Sequence, residues 1–360
     1  MIDYKLISAT DHVAWIQSLM CCGVYDIYHL PQYHLLAEEM GEGEPYLFFF
    51  QKNGLCAALP FLLRPISNVK SHDTIPYNDI SSVYGYPGIV TSVKECSVNA
   101  GEFRLAFQEA LMQIFEQLSV VSFFSRTNPL LCNTWIFKGM GEVVSLSVTI
   151  AIDLSCTEKE QLQGISKGHK CDIRKGRSLG VIVEEDVSFQ FIDEFICIYN
   201  ETMKRNEARE SYFYPKDYYL RLKKIFGESI KLFFARLDGK AISASIFFMT
   251  GKIIQYHLSG TPAEYFHLNG TKLILDVVRK IGKENGFLWL HLGGGVGSSE
   301  DSLYRFKAGF SKVRKTFEVV RMIINQEKYD ELLKLHFDLN HKIGGHIHNP
   351  NYFPAYRLPL

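Results

Sequence analysis

A glycine-rich segment near the C-terminus carries the residues best suited to chemistry. Residues 290–312 read LHLGGGVGSSEDSLYRFKAGFSK, with Lys307 in a predicted helix after the glycines. The run is neither G-x-G-x-x-G nor a P-loop, because no Lys-Ser or Lys-Thr follows it, so a nucleotide-phosphate loop is the weaker interpretation. We interpret it as a backbone-permissive loop that brings Lys307 to a site. A fixed ammonium can stabilise the oxyanion that forms when an amine attacks an acyl carbonyl. Taken alone, the same lysine would be a solvated helix residue.

Such a transfer also needs a route for the proton of the attacking amine. Asp301, in the same segment, and His257, on a predicted strand, are the candidate acceptors. Ser299 or Asp301 is expected to cap the helix, and a helix cap suits Asp301 better than a proton acceptor; a packed core position likewise suits His257 better. Water or a phosphate is a third route. No G-x-S-x-G elbow is present, and the reaction needs no covalent nucleophile.

Two segments contain residues that suit an acceptor molecule. Asp79 precedes YGYPG, where Tyr84 and Tyr86 are predicted to share one side of a strand over 82–89. Such tyrosines can stack on a sugar or uracil ring, although a hydrogen-bonded core pair fits equally well. Residues 201–219 place Arg205 among other cations and beside Tyr214, which suits a diphosphate flanked by a ring.

Two further segments are candidates for holding a donor. The junction Asn269-Gly270-Thr271-Lys272 opens a predicted helix, whose first amides could hold a pyrophosphate; a plain N-cap turn fits the spacing slightly better. The basic run over 167–177, which includes Arg174, could meet an RNA donor, a CoA phosphate or the acceptor's diphosphate. A solvated helix face is the alternative for this run.

The elements that position these residues occur twice. Residues 47–63 and 232–248 each read as an apolar strand, a turn ending in Gly and a second apolar strand, about half a chain apart. Each hairpin is preceded by an aromatic-rich helical segment and followed by a strand and an amphipathic helix, over 102–118 and 271–285. We therefore predict a duplicated α+β unit. The first domain covers 1–150 and is completed by 316–360; the second covers 151–315 and carries the transfer site.

The composition limits the class of protein. The 360 residues are 47% hydrophobic and 22% charged, with 39 cationic and 39 acidic side chains, so no net charge draws the chain to DNA or an anionic membrane. No apolar run reaches a bilayer span and no signal peptide is evident, which predicts a cytoplasmic protein. The eight cysteines lack a CxxC pair, so we expect reduced thiols and no structural zinc. The histidine-rich tail, with His341, His346 and His348, indicates a metal only weakly.

Several motifs, taken in order along the chain, resemble a known family. They are YGYPGIV (84–90), the basic segment over 166–185, YHLSGT (256–261), HLNGTKLIL (267–275) and the SEDSLYRFKAGFS block. Together they are similar to the FemAB-like branch of the GNAT acyltransferase superfamily, which contains the aminoacyltransferases that form peptidoglycan bridges. The resemblance implies tandem GNAT-like domains with mixed sheets and an acceptor groove between them. The long helical arm of some members is absent.

The resemblance also implies roles for particular residues. Lys307 matches the lysine at the reaction centre, and Arg205 lies where an arginine meets the acceptor's phosphates. Tyr256 and Phe306, within the matching motifs, are expected to contact the acceptor, and Asn269 to Lys272 with Arg174 to contact the donor. The donor would be aminoacyl-tRNA or an acyl-CoA, with no metal.

The sequence therefore predicts an N-acyl or N-aminoacyl transferase, monomeric or homodimeric. The predicted acceptor is an amine of a nucleotide-activated sugar or a peptidoglycan precursor. One alternative is an acyl-CoA-dependent N-acetyltransferase acting on an amino sugar of a surface polysaccharide. Another is a catalytically idle protein that binds a nucleotide sugar.

Overall fold

The computed structural model describes residues 2–67, 74–342 and 352–359. Contacts along the chain define two compact units, the first formed by Met1–Leu146 with Phe317–Leu360 and the second by Ser147–Thr316. We propose that these units are the two domains expected from the repeat. Within the described residues, no helix combines the length and the apolar character needed to cross a membrane.

In its described residues, the first unit consists of a mixed sheet and four α-helices. Its strands are β1 (Ile2–Ser8), β2 (Glu44–Lys52), β3 (Leu55–Ser67), β4 (Thr74–Ser81), β5 (Val90–Thr91), β6 (Val120–Arg126) and β13 (Arg314–Ile323). Its helices are α1 (His12–Cys22), α2 (Pro31–Glu39), α3 (Ala100–Gln117) and α10 (Gln326–Lys342). The strand order is β1-β2-β3-β4-β6-β13, with β5 beside β3. All described pairs are antiparallel except β4 with β6.

The second unit repeats this plan. Its strands are β7 (Glu142–Asp153), β8 (Ile182–Glu185), β9 (Ile230–Leu237), β10 (Lys240–Thr250), β11 (Ile253–Gly260) and β12 (Trp289–Gly293). Its helices are α4 (Glu158–Gly164), α5 (Lys167–Ser178), α6 (Ile192–Arg205), α7 (Lys216–Phe226), α8 (Gly270–Glu284) and α9 (Ser302–Ala308). The strand order is β7-β12-β11-β10-β9-β8. The β11 and β12 pair is parallel and the others are antiparallel.

The two predicted hairpins are confirmed. Strands β2 and β3 pair through Asn53-Gly54, and β9 and β10 through Asp238-Gly239. Asn53 and Gly54 have φ of 51° and 78°, and the second turn repeats these values at 48° and 78°. Both residues of such a turn need a left-handed backbone, which Asn, Asp and Gly adopt most easily. The same residue types thus specify the same turn twice.

Each unit has an apolar core between its sheet and an amphipathic helix. In the first unit, Phe103, Phe107 and Leu111 of α3 pack on the β2 and β3 strands. In the second, Leu273, Ile274 and Val278 of α8 pack on β9 to β12. Burying one such side chain stabilises a fold by about 1.5 to 3 kcal/mol. The apolar faces predicted for these two amphipathic helices therefore pack each helix on its sheet.

The prediction of a strand over residues 82–89 is wrong. Strand β4 ends at Ser81, and the YGYPG segment forms a bend with Gly85 at φ 109° and Gly88 at φ 101°. A Cβ on Gly85 would lie 2.2 Å from the ring of Tyr28, and one on Gly88 would lie 2.9 Å from the backbone of Thr127. The glycines therefore serve a close-packed bend, and the alternation assumed for Tyr84 and Tyr86 does not apply.

Candidate functional site

Lys307 lies on the short helix α9 of the second unit. The helix starts at Asp301, whose carboxylate accepts from the backbone N–H of Tyr304 at 2.8 Å. Tyr304 and Lys307 lie one turn apart and form its buried face. The Nζ atom of Lys307 donates to the carbonyl of Gly294 at 2.7 Å, so the ammonium is held against the glycine loop.

The surroundings of Lys307 change its acidity. The side chain is 8% exposed, and this burial lowers its pKa to about 8, while the nearby Asp301 acts in the opposite direction. At neutral pH the amine is still mostly charged. A desolvated ammonium of fixed position is the group that an oxyanion needs, because the low-polarity surroundings strengthen the attraction.

The glycine loop is shaped around Asp301. A Cβ on Gly295 would lie 2.0 Å from the carbonyl of Ser299 and 2.5 Å from the Asp301 carboxylate, so only glycine fits there. The second oxygen of Asp301 accepts from Val296 N–H at 3.2 Å. The loop thus closes on the helix cap and leaves the Gly294 carbonyl facing Lys307. We propose that Asp301 organises the loop, because both of its oxygens already hold backbone amides.

His257 and His291 lie on neighbouring strands of the same unit. The Nε2 atom of His257 is buried without a hydrogen-bond partner among the described residues, and its ring lies 4.7 Å from that of Phe248. Burial lowers the pKa of His257 to about 4. His291 bonds through Nδ1 to Gln255 at 2.8 Å, and burial together with the charge of Lys307 lowers its pKa to about 3. Both rings are therefore neutral at pH 7.

His291 was not predicted as a site residue. Its signal in the sequence is a single polar residue within the apolar strand LWLHLG. His291 is buried in the same unit as Lys307, whose charge adds to the effect of burial in lowering the pKa of His291. Because the His291 ring is neutral, it supplies no negative charge to offset the ammonium of Lys307.

The acceptor candidates of the first unit have different surroundings. Tyr84 is 66% exposed, with the guanidinium of Arg126 5.0 Å from its ring centre. Tyr86 is partly buried and packs edge-on against Tyr28 and Phe317. Tyr84 can therefore reach a ligand directly, whereas Tyr86 supports the bend from beneath.

Asp79 has a structural role in this conformation. Its side chain is fully buried and forms ion pairs with Arg64 at 2.6 Å and with Arg357 at 2.7 Å. The hydroxyl of Tyr356 donates to the same carboxylate at 3.2 Å. One oxygen thus pairs with Arg64 of the neighbouring strand β3, and the other holds Tyr356 and Arg357 of the C-terminal segment against β4. The sequence could not show this, because Arg357 lies 278 residues away.

Arg205 and Tyr214 lie near one another in sequence, but their side chains contact different residues. The Arg205 guanidinium lies 4.6 Å from the centre of the Phe266 ring and 3.8 Å from Glu201. Tyr214 stacks on Tyr218 at 4.3 Å. Arg205 is 29% exposed, so it remains available to an anionic ligand.

Tyr256 and Phe306 are packed residues. Tyr256 contacts the core of the second unit, and burial raises the pKa of its hydroxyl to about 12. Phe306 packs against His169 and Phe310. On α9, Leu303 is 38% exposed, and Tyr304 takes the buried position beside it.

The predicted donor loop is engaged in internal contacts. Asn269 has a left-handed backbone at φ 58° and gives α8 no side-chain cap. The hydroxyl of Thr271 bonds to those of Ser243 at 2.6 Å and Thr261 at 2.7 Å. A Cβ on Gly270 would lie 2.7 Å from Ser243 Cβ, so this helix start is tightly packed.

The basic helix α5 is anchored at two points. Lys272 and Arg177 form ion pairs with Asp172 and Asp276, which link α5 to α8. Arg174 is exposed, and its Nε donates to the carbonyl of Lys170. Exposed cations also include Lys167 and Lys175. This face is the part of α5 open to a polyanion.

No cluster of three or more His, Cys, Asp or Glu side chains suited to a metal occurs among the described residues. His346 and His348 lie outside the described part of the chain, as does the side chain of His341.

Comparisons with known proteins concern both sequence and fold. A model of the FemAB family matches residues 135–241. The crystal structure of FemX superimposes with a TM-score of 0.68 at 12% identity, covering 91% of this chain and 99% of that one. L-PGS from Bacillus licheniformis gives a TM-score of 0.51 at 14% identity, covering 90% and 96%. A search of curated proteins found no match.

The segment matched by the FemAB family model ends before Lys307, so the family match does not include the proposed centre. The expected fold class, α+β with tandem GNAT-like domains and mixed sheets, is confirmed. The family match and the shared fold together confirm the predicted resemblance of this chain to the FemAB-like branch of the GNAT superfamily.

Proposed function

We propose that this chain is an N-acyltransferase that moves an acyl or aminoacyl group to an amine of a nucleotide-activated sugar or a peptidoglycan precursor. The observation that carries the proposal is the buried ammonium of Lys307, held at 2.7 Å on the Gly294 carbonyl. The FemAB family match and the FemX-like fold support it.

In the proposed reaction the acceptor's amine attacks the carbonyl carbon of the donor. A C–N bond forms, and the carbonyl oxygen becomes an oxyanion that the ammonium of Lys307 stabilises. The tetrahedral intermediate then collapses, the C–O or C–S bond to the carrier breaks, and the carrier leaves with a proton. The amine's own proton passes to water, because Asp301 is committed to backbone amides and His257 is a very weak base.

We propose aminoacyl-tRNA as the donor. The start of α8 has its hydroxyls bonded to one another and Gly270 packed against Ser243, which leaves little room for a CoA pyrophosphate. The exposed cations Lys167, Arg174 and Lys175 on α5 instead offer a contact for RNA phosphates. Acetyl-CoA stays the alternative donor, and the acceptor contacts are assigned to Tyr84 and Arg205.

The proposal is tested by assaying transfer from aminoacyl-tRNA and from acetyl-CoA to a panel of UDP- and dTDP-linked amino sugars. Lys307→Ala should lower kcat by about 10² to 10³, since it removes one oxyanion donor, and should leave the acceptor's Kd unchanged. Lys312→Ala is the matched control, because Lys312 is exposed in the same segment. If the protein binds an acceptor but transfers no group from either donor, the proposed enzyme activity is wrong and the protein is a nucleotide-sugar-binding protein.

A further inference from the structure

Arg126, at the end of β6, is framed by aromatic rings. Its guanidinium carbon lies 5.0 Å from the centre of the Tyr84 ring and 6.0 Å from that of Phe317. Phe317 in turn packs edge-on against Tyr86 at 5.1 Å. All four residues belong to the first unit. Arginine stacks on aromatic faces readily because the guanidinium is planar and weakly hydrated.

The backbone around Arg126 is fixed by its neighbours. Its N–H donates to the Ser82 hydroxyl at 2.9 Å, just before the YGYPG bend. Asn128, in the following loop, donates to the carbonyl of Tyr86 at 3.0 Å and to the buried Asp26 at 2.9 Å. The bend that carries Tyr84 and the end of β6 that carries Arg126 are thus joined by hydrogen bonds.

The guanidinium itself lacks polar partners. It has no ion pair and no hydrogen bond with any described residue, although the side chain is partly buried. A guanidinium carries five N–H donors, and rings satisfy none of them in the plane of the group. A guanidinium that lies over an aromatic ring and has no polar partner among the described residues is suited to receive an oxyanion in a two-point contact.

We propose that Arg126 and Tyr84 form a binding site for an oxyanion next to a ring, and that this site holds the acceptor. The inference rests on the proposed function and adds Arg126 as the residue that recognises the anionic group of the acceptor. Arg126 binds the anion edge-on, and the exposed face of Tyr84 packs on the adjoining ring. A sugar-linked diphosphate and a sugar carboxylate supply the same chemistry.

The test measures equilibrium binding without any donor, using UDP-N-acetylglucosamine for the diphosphate and glucuronate for the carboxylate. Arg126→Gln should weaken binding of the recognised probe at least about tenfold, because a charged two-point contact is lost. Arg126→Lys keeps the charge without the planar fork and should give an intermediate loss. Selective loss for one probe identifies which anion the site accepts.

Lys138→Gln is the control for loss of charge, since Lys138 is an exposed cation of the same unit. It should bind both probes as the unchanged protein does. The inference is overturned if the unchanged protein binds neither probe, or if Arg126→Gln binds as tightly as Lys138→Gln in a protein of unaltered melting temperature. The measurement needs no turnover, so its failure leaves the Lys307 assay to decide the proposed function by itself.

Discussion

Lys307 keeps its charge in a place that disfavours charge. Its pKa of about 8 in the folded chain lies below the ordinary value of 10.5, so the unfolded chain binds this proton more tightly. The unfolding free energy therefore increases as the pH rises from about 8 towards 10.5, and the charged lysine destabilises the fold below that window. Such a cost is typical of a group kept for function.

Replacing Lys307 by Met should therefore lower kcat as much as Lys307→Ala does and should stabilise the chain. We expect a gain on the order of 1 to 2 kcal/mol at pH 7, because desolvation of the ammonium is removed while one hydrogen bond is lost. Urea unfolding at pH 7 and pH 9 measures it, and the gain should shrink at the higher pH. A Met variant less stable than the unchanged chain at pH 7 would contradict the buried position of the ammonium.

The short helix α9 depends on its N-cap residue, Asp301. Asp301→Ala removes the cap that accepts from Tyr304 and Val296 and should cost about 1 kcal/mol, with lower kcat because Lys307 is less well held. Asp301→Asn can still accept from the backbone and should keep most of the activity. Steady-state kinetics on both variants distinguishes a helix cap from a proton acceptor. Equal, complete loss in Asn and Ala would make Asp301 the proton acceptor instead.

The start of α8 offers a matched pair of glycines. Gly270→Ala places a methyl group 2.7 Å from Ser243 Cβ and should cost about 1 to 3 kcal/mol, since the helix must shift. Gly168→Ala in α5 meets no atom within 4 Å and should be neutral or gain up to about 1 kcal/mol from helix propensity. Thermal unfolding of both variants is the measurement. Equal effects would show that the packing at Gly270 is loose.

The Asp79 carboxylate is one of the groups that tie the C-terminal segment to β3 and β4, beside the hydrogen bonds of Tyr356 to Ser122 and of Arg357 to the Pro65 carbonyl. Asp79→Ala leaves Arg64 and Arg357 without their shared partner, and we expect a loss of about 1 to 3 kcal/mol because both arginines are partly exposed. Limited proteolysis should then cut earlier near residues 352–359. Asp3→Ala, an exposed aspartate in the same unit, should change neither readout.

Across the whole molecule, the local patterns were the predictable part. The hairpin turns, the buried faces of α3 and α8 and the cap at Asp301 follow from periods and residue types within a few turns of chain. The sequence predicts a strand at Tyr84, whereas the structure has a bend. The bend depends on contacts of its glycines with Tyr28 and Thr127, which the local sequence does not show. The partners of Asp79 and the rings around Arg126 come from distant segments, which no local pattern reports.

The position of Lys307 also affects how the protein reacts with amine-modifying reagents. With a pKa of about 8, roughly a tenth of its amine is neutral and nucleophilic at pH 7, against well under a thousandth for an ordinary lysine. Once a small acylating reagent reaches the nitrogen, this side chain is modified ahead of the surface lysines. Peptide mass mapping of that modification then reports occupancy of the site without knowledge of either substrate.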